Sequence, residues 1–151
     1  NFINQKFDYI ITKRALINLA NFNQQIRVIE NLSKLLKKSG RILCCENSST
    51  GLKNINLARE KLKLKKIEAP WHNKYIENDK LIKFKFKNIK FIKLHEFSSS
   101  FYFLSRVLNA FDTKIKKKSK FDRNLNHLAF SIDQNLIPGY SQNVVFEFKK
   151  K

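Results

Sequence analysis

The order of apolar and polar residues along the chain predicts that strands and helices alternate. Phe7 to Thr12 (FDYIIT) is a short run of apolar and β-favouring residues, which predicts a buried strand. The next segment has helical spacing, and we expect Asn21 or Asn23 to cap this helix and Gly40 to stop it. Lys37 and Lys38 would occupy its last turn, where cations complement the helix dipole. The apolar face of the predicted helix consists of Ile26, Ile29, Leu32 and Leu36.

A second buried strand is predicted from Arg41 to Cys45 (RILCC), and it ends in the polar residues Glu46 and Asn47. A strand, a helix and a strand joined by short connections form a βαβ unit, whose crossover is expected to be right-handed. The sequence therefore predicts the α/β class.

The remainder of the chain continues the same alternation. Ser98, Ser99 and Ser100 are predicted caps for one of the helices. The predicted helices are Leu52–Leu62, Glu77–Phe86, Phe101–Phe111 and Asn124–Ile132. The predicted strands are Ile89–Glu96 and Val144–Phe148, and the predicted irregular segments are Ile67–Tyr75 and the lysine-rich Thr113–Lys120.

Length and composition indicate one domain with a hydrophobic core, since the 151 residues are 42% hydrophobic. The chain begins with Asn1 and enters a strand almost at once, so we expect an N-terminal truncation. No apolar run approaches the roughly 20 residues of a membrane span, and no signal-peptide pattern is present. Cys44 and Cys45 are adjacent, which is poor geometry for a disulfide and lacks metal-ligand spacing. We expect reduced, buried cysteines, no metal site and a cytoplasmic location.

The formal net charge of +19 is unusual, because 31 Lys and Arg stand against 12 Asp and Glu. Such a charge suggests nucleic acid or an anionic membrane as a partner. However, the basic residues are 25 Lys and 6 Arg, and the chain holds 17 Asn but 6 Ala. This bias is typical of AT-rich codons, and bidentate base recognition favours Arg. A solvated lysine-rich surface is therefore the favoured interpretation, ahead of nucleic acid, and no membrane partner is expected.

The order of these motifs resembles class I S-adenosylmethionine-dependent methyltransferases. FDYIITKRALINL, a helix, and the Gly40 turn into RILCCEN are similar to the family's fourth strand, following helix and fifth strand. NSSTGLKNINLAREKL, APWHNKYI and SFYFLSRVLNA continue the resemblance, which reaches at least Phe111. It implies a partial Rossmann-like fold over residues 1–151, with sheet order 4-5-7-6, an antiparallel last strand and helices on the faces. It also implies that segments 67–80 and 97–135 cover an acceptor site.

One departure from the family affects the expected activity. The Gly-rich GxGxG loop has no counterpart, since the chain holds three glycines, Gly40, Gly51 and Gly139, without that spacing. The acidic residue that binds ribose is also missing. Because nucleotide-binding α/β folds need such groups, we expect this chain alone neither to bind S-adenosylmethionine well nor to catalyse. The strand at Phe7 would present an unpaired apolar edge.

Candidate site residues follow from the resemblance and from the rule that ligands lie beyond the carboxyl ends of parallel strands. The expected cofactor-side residues are Thr12, Lys13 and Arg14, with solvated loop cations as the alternative for Lys13 and Arg14. The expected substrate-side residues are Asn18, Glu46, Asn47, Trp71 and Tyr75, although Asn18 could equally help to cap the following helix.

His72 is the candidate general base, because its unperturbed pKa of about 6.5 suits proton transfer, and a surface histidine is the alternative. His95 and His127 have no evident partners in the sequence and are expected to be structural or surface residues. The expected activity of the whole protein is methyl transfer to a small molecule. The alternatives are a basic nucleic-acid-binding module, an RNA methyltransferase, or an inactive scaffold.

Overall fold

The computed structural model describes residues 5–118 and 121–151, so the prediction of a truncation at Asn1 lies outside the described residues. The described chain divides into two compact units. The first contains the chain up to Asn47, together with Ala69–His95 and Val144–Lys151; the second contains Ser48–Glu68 and Glu96–Asn143. No helix in the described part of the chain is long and apolar enough to cross a membrane.

The first unit is built on a mixed four-stranded sheet, which confirms the α/β class. In chain order, its strands are β1 (Phe7–Lys13), β2 (Leu36–Asn47), β3 (Ile89–Glu96) and β4 (Asn143–Lys150). Their spatial order is β1-β2-β4-β3, so the last strand of the chain lies between the second and the third. β1 and β2 are parallel and are joined by the helix α1 (Phe22–Lys34), as the predicted βαβ unit requires.

The core lies on one face of this sheet. Ile26 and Ile29 of α1 are buried there against strand residues such as Ile42 and Phe146. Aromatic rings extend the core, since Phe148 contacts Phe86 edge to face with ring centroids 5.2 Å apart. The fully buried strand residues in this core include Ile42, Cys44, Val144, Phe146 and Phe148. The opposite face carries the alternate residues of the same strands.

The prediction that β1 is a buried strand was wrong. Among the described residues β1 is an edge strand, paired on one side with β2. Tyr9 and Ile11 are 62% and 68% exposed on the face opposite the core, whereas Ile10 packs against the core. A continuous apolar run is typical of a strand that is covered on both faces, but only one face of β1 is covered. The unpaired edge that the resemblance implied for this strand is present among the described residues.

The predicted end of α1 was also wrong. The helix is capped by Asn21, whose Oδ1 accepts from the Gln24 amide at 3.0 Å, but it ends at Lys34. Leu36 begins β2, so Lys37 and Lys38 lie in a strand and not in a helical turn. Gly40 is required for a close approach: an added Cβ would lie 3.0 Å from the Phe7 carbonyl oxygen. The pairing register shifts at this point.

The second unit is helical. It contains α2 (Ser49–Lys61), α4 (Ser99–Phe103), a π-helical stretch (Leu104–Leu108), α5 (Asn109–Ile115) and α6 (Arg123–Ser131). The helix α3 (Asn78–Lys83) belongs to the first unit. The buried Asn109 side chain fixes α6 by donating to the Asp122 carbonyl and the Asn126 side chain. Gly51 is also required, since an added Cβ would lie 2.0 Å from the Ser141 carbonyl oxygen.

Two further predictions need correction here. Ser98 occupies the cap position of α4, but its hydroxyl donates to the Asn143 carbonyl and does not cap the helix. Thr113 to Ile115 continue α5, so the predicted irregular segment begins later than expected, and residues 119–120 of it lie outside the described part. The helices predicted at Leu52–Leu62, Glu77–Phe86 and Asn124–Ile132 are confirmed with shifted ends.

Candidate functional site

The carboxyl ends of β1 and β2 lie side by side, and a buried carboxylate organises them. Glu46, which is 1% exposed, accepts from the Thr12 hydroxyl at 2.9 Å. It also accepts from the backbone amides of Ala15 and Leu16 at 3.2 Å and of Ile17 at 3.4 Å. Both carboxylate oxygens are therefore used by the turn after β1, and Glu46 holds this turn in place.

Arg14 begins this turn in the left-handed backbone region, with a φ of 52°. Its amide donates to the Cys45 carbonyl at 2.9 Å, and its own carbonyl accepts from the Asn18 side chain at 2.7 Å. A left-handed arginine costs conformational energy and persists where surrounding bonds fix it. The Arg14 side chain is exposed at the strand end. Asn18 thus shapes the turn, and its amide does not cap α1, which Asn21 caps.

Asn47 carries a buried polar atom without a partner at this edge. Its side chain is 7% exposed, and its Oδ1 has no hydrogen-bond partner among residues 5–118 and 121–151. A buried amide oxygen without a partner is costly, so such an atom calls for an explanation. The Asn47 backbone is engaged, since its carbonyl accepts from the Ile76 amide at 2.8 Å. The side chain is the strongest indication of a ligand contact at this edge.

Gln25 connects the turn to the segment after Pro70, and the sequence analysis missed it. Its Nε2 donates to the Leu16 carbonyl at 3.2 Å and to the Lys74 carbonyl at 2.8 Å, and the residue is 2% exposed. The Lys74 amide in turn donates to the Ile17 carbonyl at 2.6 Å. The sequence does carry a signal for this role, because Gln25 is a polar residue on the apolar face of α1, one turn before Ile29.

The three residues expected on the cofactor side do not converge on one point. The Thr12 hydroxyl is bound to Glu46 on the core side of the sheet. Lys13 is the next strand residue and is exposed on the opposite face, where it pairs in register with Cys45. Arg14 lies beyond the strand. Of the three, the position of Arg14 is the most suitable for a ligand beyond the strand ends.

The segment containing Trp71, His72 and Tyr75 is only partly held against the first unit. Trp71 is 88% exposed and its ring contacts that of His72 edge to face, with centroids 5.5 Å apart. His72 is exposed as well, so no described group orients it as a base. Tyr75 is half-buried and packs against the core. Asn73, which the sequence analysis did not select, is buried beside them at 7% exposure.

Both cysteines are free thiols, and their environments differ. The pKa of the Cys44 thiol is raised to about 12, mainly by burial; the Thr12 hydrogen bond opposes this shift and the charge of Glu46 contributes to it. Cys45 is half-buried and not buried as expected. Its pKa is raised by burial and by Glu46, whereas Lys13 opposes the shift. A thiol with a raised pKa is a poor nucleophile, so neither cysteine suits nucleophilic catalysis.

A second polar cluster lies on the sheet face opposite the core. Glu147 accepts from Arg41 and lies 2.7 Å from His95 Nε2, so His95 has a partner that the sequence analysis did not identify. The His95 hydrogen bond, together with Arg41, lowers the pKa of Glu147 in spite of burial. Tyr9, Leu43 and Val145 complete a shallow groove of about 420 Å³ around these groups. His127 is exposed on α6.

The strand-end site therefore offers an unpaired amide oxygen, an exposed guanidinium and a turn fixed by a buried carboxylate. These groups can bind and orient a polar ligand, but none of them is arranged to transfer a proton. No group of three or more His, Cys, Asp or Glu residues in the described ranges could hold a metal ion. The sequence matches no protein-family model and no curated protein.

Proposed function

We propose that this chain is the C-terminal half of a class I S-adenosylmethionine-dependent methyltransferase. In the whole protein, its strand-end site would form one wall of the cofactor pocket, and the acceptor would be a small molecule. The observation that carries this proposal is the strand order, in which β4 lies between β2 and β3. The resemblance implies the order 4-5-7-6. The observed order β1-β2-β4-β3 is the same if the four strands correspond, in chain order, to the family's strands four to seven.

The residues at the strand ends fit one side of such a pocket. The Asn47 Oδ1, buried and unpaired, can accept a hydrogen bond from an ammonium or hydroxyl group. The exposed Arg14 guanidinium can pair with a carboxylate in a bidentate manner. Asn47 is the last residue of β2 and Arg14 follows β1, so both lie at the carboxyl ends of parallel strands, where α/β sheets bind ligands. S-adenosylmethionine, when bound, supplies a methyl group on a positively charged sulfur, and it also carries the ammonium, carboxylate and hydroxyl groups that these side chains match.

The role of this chain's own residues would be positioning. Holding the acceptor in line with the methyl group can supply about 7–11 kcal/mol of the barrier without a general base. Glu46 would contribute by fixing the turn from Ala15 to Ile17, which its carboxylate binds. Trp71 and Tyr75 would contact the acceptor, and His72 would serve as a base for acceptors that must lose a proton. The missing GxGxG loop would have to come from residues that precede Asn1.

The experiment measures S-adenosylhomocysteine binding by the longer protein that the proposal requires, with a GxGxG segment before this chain. It compares the wild type of that protein with its Asn47→Ala and Arg14→Met variants. Each variant should bind about 3- to 10-fold more weakly, which corresponds to one lost hydrogen bond or ion pair. The control is Lys83→Gln, an exposed lysine of α3 with no role in the site. Unchanged affinity in both site variants would argue against this pocket.

A further inference from the structure

The second unit carries a group of cations that are brought together by contacts between α2 and the helix that ends at Ile115. Arg59 in α2 donates through Nη1 to the carbonyl of Arg106, in the π-helical stretch, and through Nε to the Lys65 carbonyl at 2.7 Å. Lys114 in α5 donates to the Lys63 carbonyl at 2.9 Å. We call this group the basic strip. Five members take part in these hydrogen bonds, and Lys61 and Lys117 are included as their neighbours along the chain: Arg59, Lys61, Lys63, Lys65, Arg106, Lys114 and Lys117.

The charges of the basic strip are not neutralised by neighbouring carboxylates. Within residues 5–118 and 121–151, none of its seven members forms an ion pair. Nearby acidic residues are engaged elsewhere, since Glu60 pairs with Lys66 and Asp112 pairs with Lys116. Burial and then the charge of Arg106 lower the pKa of Arg59, as expected for two adjacent guanidinium groups. Clustered, unpaired cations attract a polyanion.

The backbone fixes several of these lysines. Lys63 and Lys117 follow the ends of α2 and α5 in the left-handed region, with φ values of 52° and 48°. Glycine is the usual residue at such a position, because a side chain there is strained. Hydrogen bonds close both turns, from the Leu64 amide to the Arg59 carbonyl and from the Lys118 amide to the Thr113 carbonyl. Two helix ends therefore present lysines from defined turns.

A groove beside the basic strip suits a flat, partly polar group. Lys61 lines this groove of about 290 Å³ together with Asn54, Pro138 and Tyr140. The Tyr140 ring is held by Phe103, with ring centroids 4.8 Å apart. Aromatic rings next to cations are the combination that binds unpaired bases beside a phosphodiester backbone. A duplex would keep its bases stacked inside and could not place one in the groove.

We propose that the basic strip binds the phosphodiester backbone of a single-stranded nucleic acid, with a base in the groove between Lys61 and Tyr140. This inference does not depend on methyl transfer. Charge complementarity identifies the partner. Seven cations without an ion pair, at the ends of α2 and α5 and at Arg106 in the π-helical stretch, match a repeating anion better than a single phosphate. The groove favours a polynucleotide over an anionic membrane, which would offer nothing to fill it.

The test measures the fluorescence polarisation of a labelled oligouridylate of roughly 15 nucleotides, a length suited to one such domain. The variant is Lys63→Gln/Lys65→Gln, in which both exposed side chains lose their charge. The matched control is Lys83→Gln/Lys85→Gln in the first unit, which has the same spacing, exposure and change in net charge. Urea unfolding of each variant establishes that the fold is retained.

We expect the wild-type chain to bind the oligonucleotide. Its affinity should decrease as the salt concentration is raised from about 50 to about 200 mM. The Lys63→Gln/Lys65→Gln variant should bind at least about fivefold more weakly than the wild type. The slope of log affinity against log salt concentration should be smaller in magnitude by about 1.4, which is about 0.7 for each of two lost phosphate contacts. The control should lose less than about twofold. Equal losses in both variants would show that net charge alone attracts the probe, and would overturn the proposal.

Three other outcomes would also overturn it. The first is an absence of binding at about 50 mM salt, where electrostatic contacts are strongest. The second is tighter binding of a duplex of the same length. The third is that the wild type binds vesicles of phosphatidylserine and phosphatidylcholine, and that Lys63→Gln/Lys65→Gln abolishes this vesicle binding but leaves oligonucleotide binding unchanged. Vesicles are included because Ile115, beside Lys114, is 62% exposed and could enter a membrane interface.

Discussion

The carboxylate of Glu46 lies 2.9 Å from the hydroxyl of Thr12 on the neighbouring parallel strand. This hydrogen bond joins the carboxyl ends of β1 and β2, and the same carboxylate holds the backbone of the turn that follows. The geometry of the strand-end site therefore depends on one buried acidic residue.

Replacement of Glu46 should destabilise the protein more than replacement of an exposed glutamate. We expect Glu46→Gln to lower the free energy of unfolding by about 1.5–3 kcal/mol, because an amide offers one acceptor oxygen to groups that now share two charged ones. Urea unfolding would measure this change. The control, Glu68→Gln at an exposed position, should stay within about 0.5 kcal/mol of the wild type. Equal effects would mean that Glu46 does not organise the turn.

The Glu147 cluster should make stability depend on acidic pH. Because His95 and Arg41 lower the pKa of Glu147 in the folded state, the cluster stabilises the protein fully above the unfolded pKa of about 4.3. That contribution is lost as the pH falls through the lower folded pKa. Glu147→Gln should therefore be less stable than the wild type near neutral pH, and the difference should shrink below about pH 4.

Urea midpoints of the two proteins at several pH values would test this prediction. His95→Gln serves as a companion variant, because it removes the hydrogen bond that lowers the pKa of Glu147 most and should therefore reduce the pH dependence in part. A difference between wild type and Glu147→Gln that stays constant from neutral to acidic pH would contradict the assignment.

The two cysteines should differ in their reactivity with iodoacetamide. At about pH 8, a pKa of about 12 leaves roughly one Cys44 thiol in ten thousand ionised, and the thiolate is the reactive form. Cys45 is half-buried and should react slowly, but before Cys44. Mass spectrometry of digested protein would locate the label, and both residues should react after denaturation in guanidinium. Labelling of native Cys44 first would show that the strand is less buried than described.

The sequence predicted the elements better than their ends. The strand at Ile89–Glu96 was predicted with the observed bounds, because its composition is decisive locally. The end of α1 was predicted too late, since Leu36 continues the helical spacing although it begins β2. The exposure of Tyr9 and Ile11 could not be predicted either. It depends on whether another element covers that face of β1, which the residues of β1 alone do not show. The unpaired edge of β1, by contrast, was expected from the resemblance and is present among the described residues.

The candidate site was predicted only in its location. Arg14, Glu46 and Asn47 were selected because they end strands, and the structure brings them to one edge. The Glu46 carboxylate binds backbone amides of the turn after β1, while Asn47 keeps an unpaired oxygen. Both depend on side-chain directions that residue spacing does not give. Gln25 was missed because one of its two acceptors, the Lys74 carbonyl, comes from a distant segment of the chain.

The measurement that most directly tests the central proposal is calorimetric titration of S-adenosylmethionine into two proteins. One is the 151-residue chain. The other is the extended chain, the longer protein that the proposal requires, in which a segment with the GxGxG loop precedes this chain. We predict binding by the extended chain and none by the shorter one, because the loop that grips the cofactor is absent from the shorter sequence. If the extended chain also fails to bind, the assignment as half of a methyltransferase is contradicted.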